Sequence, residues 1–155
     1  MSVDRTTLDF FDASCLIAAA PSPSGGSSFL LSLCARGFLR AAVSQPVLLE
    51  AETNILAKFP PAALATHHRQ LATTPTTIAP VPTAADRRRY QGVINPTDEH
   101  VVAAAIAIRA PFLLTLDQPL EDKVNRSGLP LVAYSPGGFI TRELPSHPDF
   151  AHLRD

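Results

Sequence analysis

A chain of 155 residues that is 46% hydrophobic and only 17% charged carries too much apolar material to stay disordered, and it fits one domain with its own core. A net charge of −1, from 13 Lys and Arg against 14 Asp and Glu, excludes a strongly basic or acidic protein. Four acids set aside in one site would still leave a cationic remainder able to accept a polyanion.

No apolar run approaches the roughly 20 residues of a membrane span, and Asp9 and Asp12 interrupt the N-terminal stretch that would otherwise resemble a secretory signal. A cytoplasmic protein with no membrane association is therefore expected. Cys15 and Cys34 are too few and too irregularly placed for a disulfide framework or a zinc site, and read as small buried hydrophobes.

In chain order, "TLDFF" (7–11) is rich in strand formers, and "DASCLIAAA" follows as a helix that Asp12 or Ser14 can cap. "PSPSGG" (21–26) breaks the pattern, and "SSFLLSLCARG" resumes a helix that stops at Gly37. "FLRAAVS" reads as a strand. "SQPVLLEAETNILAKF" reads as a helix capped by Ser44 with Pro46 in its first turn. "PPAALATHHRQLATT" is a further helix, "TTIAPVP" a short strand or an extended linker, and "AADRRRYQ" a short polar helix.

A helix then runs from Thr97 or Asp98 to about Arg109, followed by a strand "FLLTL", a helical turn "QPLEDKVN", a last strand "LPLVAYS" and a terminal helix opened by Pro136. Strands alternating with helices predict a three-layer α/β/α domain around a central, mostly parallel sheet. There is no internal repeat.

Four acids stand at the ends or starts of these elements. Asp12 follows the first strand, Asp117 follows "FLLTL", Asp98 opens a helix, and Glu50 lies near the start of another. Taken singly, Asp12 and Asp98 read as helix caps, Asp117 as a turn residue and Glu50 as a solvated helix residue. Taken together, they can meet at the carboxyl edge of the sheet, where such folds bind ligands. Converging hard oxygens suit Mg²⁺ or Mn²⁺, and two such ions can support phosphodiester cleavage by metal-activated water.

"FFDAS", "VSQPVLLEAETNIL", "NPTDEHVVAAAIAIRAPFLLTLD" and "LVAYSPGGFI", in this order and spacing, resemble a PIN-domain protein of the kind found as toxins in bacterial toxin–antitoxin pairs. The resemblance runs from about residue 7 to 142. It implies a metal-dependent endoribonuclease that leaves a 5′-phosphate and a 3′-hydroxyl. The family's metal-binding acids are matched here by Asp12, Glu50, Asp98 and Asp117, and its small polar positions by Ser14 and Thr115. It further implies a homodimer, an RNA substrate and a cognate antitoxin that places a basic or blocking side chain among the acids.

Several residues stay open at this level. Glu52 competes with Glu50, although two residues apart on a helix they point about 200° apart. Glu121 or Asp122 can assist the site. His100 reads as a surface residue of a first helical turn or as one that approaches the site, and His67 and His68 have no further ligand at useful spacing.

"DRRRY" (86–90) is a solvated charged face or a phosphate contact. Aromatics are few and Trp is absent, which argues against a base-stacking platform. The competing function is a non-catalytic PIN-like module that binds RNA or protein. A phosphatase with an aspartyl nucleophile would want an acid where Ser14 stands, and a receiver domain a Lys where "AYSPGG" offers none.

Overall fold

The computed structural model describes residues 2–155. Five strands, β1 (Leu8–Phe11), β2 (Arg40–Ser44), β3 (Thr76–Ala79), β4 (Phe112–Leu114) and β5 (Val132–Tyr134), form one sheet in the order β3-β2-β1-β4-β5. Every pairing is parallel. The expected mostly parallel sheet is thus wholly parallel. The chain builds outward from β1 through β2 to β3, then crosses back to lay β4 on the other side of β1, so the order reverses between β1 and β4.

The central strands are near-continuous apolar runs because both of their faces are covered. Phe10, Phe11, Leu113 and Leu114 are all fully buried. Phe112 meets Phe139 edge-on with ring centroids 5.2 Å apart, which joins the sheet to the C-terminal helix.

Eight helices complete the domain: α1 (Ala13–Ala19), α2 (Gly26–Ala35), α3 (Gln45–Lys58), α4 (Pro61–Thr73), α5 (Ala84–Arg88), α6 (Glu99–Ala107), α7 (Gln118–Arg126) and α8 (Pro136–Arg142). α1 packs against α2, α3 and α4, and α2 packs against α8; α6 crosses β2, β3 and β4 and carries α5 on its flank. The sequence cues act where expected. Ser44 accepts a hydrogen bond from the Val47 amide at the start of α3. Gly37 takes φ +81° just past α2, and the Phe38 amide reaches back to the Leu33 carbonyl.

Three local readings shift. "TTIAPVP" is a strand, β3, rather than a linker. α7 extends through Arg126 instead of a single turn, and two short 3₁₀ turns follow α8. α6 ends at Ala107, two residues short of Arg109, which adopts φ +59°. The cause is local: Pro111 keeps Ala110 out of the helical region, so the chain turns before it.

Candidate active site

The strand order reverses between β1 and β4, the place at the carboxyl edge where such folds form a binding crevice, and the turns leaving these two strands end there. The Asp12 amide still donates to the Leu114 carbonyl at 2.9 Å, so the ladder holds the first residue of the β1–α1 turn in register with the end of β4. Asp12 is buried, and three donors fix its carboxylate. Oδ1 accepts from the Ala13 amide at 2.8 Å; Oδ2 accepts from Ser14 Oγ at 2.9 Å and from Thr115 Oγ1 at 2.7 Å.

The same two hydroxyls clip the turns together. Ser14 Oγ accepts from the Leu116 amide and Thr115 Oγ1 from the Asp117 amide, each at 3.0 Å. Asp117 begins α7, and its Oδ1 caps the helix by accepting from the Leu120 amide at 3.1 Å.

Asp98 behaves differently. It stands just before α6, yet its side chain makes no capping hydrogen bond. Burial pushes its carboxyl above the ordinary range, and Asp117, Asp12 and Glu50 push it the same way, against a smaller opposing pull from His100. Those effects put Asp117, Asp12 and Glu50 within electrostatic reach of Asp98. None of them forms an ion pair among the described residues. The four do not close into a preformed cage: among the described residues no group of three or more His, Cys, Asp or Glu stands in metal-holding geometry.

The open alternatives resolve by direction. Glu52 turns toward α4, where its Oε2 lies 3.8 Å from His68 Nε2, whereas Glu50 acts on Asp98. Glu121 is occupied structurally, accepting from the Ser135 amide at 3.1 Å and from Gln118 Nε2 at 3.3 Å. Asp122 accepts from the same Gln118 amide group at 3.0 Å. His67 is buried, and burial followed by the neighbouring His68 lowers its pKa, which suits a neutral structural side chain.

His100 is half-buried at the start of α6 and acts on Asp98. Its Nδ1 is buried without a hydrogen-bond partner. Its pull on the Asp98 carboxyl puts the imidazole within electrostatic reach of that acid, a proximity that the two-residue spacing does not announce.

An all-oxygen donor set in which Asp98 and Glu50 make no side-chain hydrogen bond among the described residues is suited to a hard divalent cation, and lacks the thiolate and imidazole ligands that zinc favours. No helix of the described residues is long and apolar enough to cross a membrane.

No curated protein matches the chain. Among solved structures it is similar to PAE2754 from Pyrobaculum aerophilum, with 18% identity, a TM-score of 0.55, and 82% of this chain and 83% of that one covered. It is also similar to VapBC2 from Rickettsia felis bound to a DNA fragment from their promoter, with 17% identity, a TM-score of 0.59, and 83% and 98% covered. At such identities the likeness concerns the fold. The sequence profile of the PIN domain matches residues 10–119, most of the chain and the stretch that carries all four acids, and the protein therefore belongs to the PIN-domain family.

Proposed function

We propose that the protein is a Mg²⁺- or Mn²⁺-dependent endoribonuclease and the toxin of a toxin–antitoxin pair. The observation that carries this reading is Asp98, a partly buried carboxylate without a capping bond in the combined field of Asp12, Asp117 and Glu50. Four acids gathered without a compensating Lys or Arg are costly unless a cation joins them. Asp12, Glu50, Asp98 and Asp117 would hold it. Bound there, a divalent ion lowers the pKa of a coordinated water and stabilises the developing charge on the leaving oxygen.

The chain's own part is positioning. Ser14 and Thr115 hold Asp12 Oδ2 in one orientation. The Leu120 amide fixes one oxygen of Asp117. His100 sits where it can hold or relay a proton beside Asp98. The similarity to VapBC2, which that structure shows bound to a promoter DNA fragment, supports an antitoxin partner for this chain. A homodimer and an inhibitory basic side chain inserted among the acids belong to the same reading.

The second reading is a non-catalytic PIN-like module that binds RNA or protein, and the absence of a preformed cage among the described residues favours it. Incubation of the pure protein with mixed cellular RNA separates the two. Cleavage is expected with Mg²⁺ or Mn²⁺, none in excess chelator, and 5′-phosphate ends on the products. Asp12→Asn and Asp98→Asn should each lose more than the roughly 10–100-fold typical of residues that only support a metal ligand. Undiminished cleavage in chelator, or in either variant, would overturn the metal-dependent mechanism.

A further inference from the structure

The chain's densest cationic run lies outside the carboxylate cluster. Arg87 and Arg88 end α5 and Arg89 follows as its C-cap; all three are exposed, and none forms an ion pair among the described residues. The one acid of that helix, Asp86, is committed to a capping box, accepting from the Thr83 amide at 3.0 Å while its own amide donates to Thr83 Oγ1 at 3.1 Å. Cations in a last helical turn are favoured by the helix dipole. A helix of five residues gives little dipole for three of them to complement.

The run is held on a fixed platform. Tyr90 packs against the core and Ile94 is buried in it, so the chain is anchored directly after Arg89. α5 packs on α6, which Asp98 begins. The step from Arg89 to Asp98 cannot span more than about 32 Å even when extended. Lys123 Nζ donates to Asn95 Oδ1 at 2.7 Å, tying the intervening loop to α7, the helix capped by Asp117. The arginines thus sit on the helix packed against α6, one loop away from the Asp98 that begins it.

Opposite charges in this order have a use. A crevice lined with acids repels phosphate, and a polyanion that approaches it gains from cations placed alongside. Guanidinium forks match phosphate oxygens, and without Trp and with few aromatics the grip falls on the backbone rather than the bases. We propose that Arg87, Arg88 and Arg89 form a phosphate-binding track that holds the backbone of single-stranded RNA beside the carboxylate cluster. The proposal rests on the ribonuclease reading for its substrate. It makes binding of long RNA depend on the track while a dinucleotide, too short to span both, ignores it.

The test uses the full chain carrying Asp12→Asn, in chelator, with fluorescence anisotropy of a labelled single-stranded RNA of about 20 nucleotides, long enough for several phosphates to be neutralised at once, across a salt series. Replacing all three arginines by Gln should weaken binding about 10–100-fold at low salt. It should also reduce the slope of log affinity against log salt by about 2, at roughly 0.7 for each phosphate left without its cation. Arg→Lys at all three positions should restore most of the slope. Arg69→Gln, Arg126→Gln and Arg142→Gln together, three exposed arginines elsewhere, are the control for net charge.

An unchanged slope and affinity in the Gln variant, no RNA binding by the parent, equal loss in the control, or tighter binding of duplex DNA would each overturn the track. With Asp12 restored and metal present, the Gln variant should raise KM on the long RNA several-fold at nearly constant kcat. Cleavage with KM unchanged would remove the track and leave the nuclease standing. A parent that cleaves no RNA would remove the nuclease.

Discussion

Asp9 and Asp12 are the same residue type three positions apart on one strand and its exit turn, and the fold treats them in opposite ways. Asp12 leaves the sheet at its carboxyl edge and collects three donors. Asp9 sits in mid-strand between Ala41 and Phe112, is fully buried, and neither of its oxygens has a hydrogen-bond partner. Burial pushes its carboxyl well above the ordinary range, and it in turn helps to push up the nearby Cys34 thiol, already raised by burial. A carboxylate is an asset where the sheet ends and hydroxyls and water are at hand, and a cost one turn of the pleat earlier, where only a neutral form is tolerable.

The largest effect that would break this contrast concerns the donors to Asp12. Thr115→Val preserves shape but removes the 2.7 Å bond to Oδ2 and the acceptor of the Asp117 amide. RNA cleavage should fall about 10–100-fold, the range for residues that orient a metal ligand. Asp9→Asn should keep cleavage within about threefold, since it lies outside the set of residues that orient a ligand. Equal losses in single-turnover assays of the two variants would mean that the hydroxyls add nothing to the site beyond what the strand supplies.

The carboxyl-edge half of this contrast was legible in the sequence. Turn and cap residues mark strand and helix ends locally, so the alternation of elements places Asp12, Asp98 and Asp117 at ends before any contact is known. Ser14 and Thr115 came with the family resemblance, and the structure gives them a physical task. The fate of Asp9 was not legible, because "TLDFF" shows an acid in a strand without showing that both faces of that strand are covered. The same limit hid the engagement of Glu121 by the Ser135 amide, a contact across 14 residues. It also hid the approach of His100 to the crevice. β3 escaped firm assignment because Pro75 and Pro80 flank a run with Ile78 exposed, an edge strand with little burial to announce it.

A smaller effect sharpens the other half. Asp9→Leu, which keeps the branched outline of the side chain, replaces an unpartnered carboxyl with methyl groups and should stabilise the protein by about 1–3 kcal/mol at neutral pH. Melting temperature should then rise by roughly 2–10 °C for a chain of this length.

The pH dependence has a definite sign. The folded-state pKa of Asp9 lies above its unfolded value, so the ionisation penalty is absent below about pH 4 and grows as pH rises toward the raised folded value. The advantage of the Leu variant over the parent should widen along the same interval and then level off. Denaturant titrations at a series of pH values that show a constant difference, or a Leu variant less stable than the parent, would place a partner on Asp9.

The central claim is that Asp12, Glu50, Asp98 and Asp117 act as one cation-dependent site, and thermal melting in chelator and across a Mg²⁺ or Mn²⁺ series tests it most directly. In chelator, Asp98→Asn should be as stable as the parent or more so, because it relieves the repulsion that raises this carboxyl. With metal at about 100 times its dissociation constant the parent should gain about 2.7 kcal/mol. Asp98→Asn and Asp12→Asn should gain much less, and Asp9→Leu should gain as much as the parent. A parent whose melting ignores the metal, or an Asp98→Asn variant that responds as strongly as the parent, would contradict the account and return the four acids to the role of helix and turn punctuation.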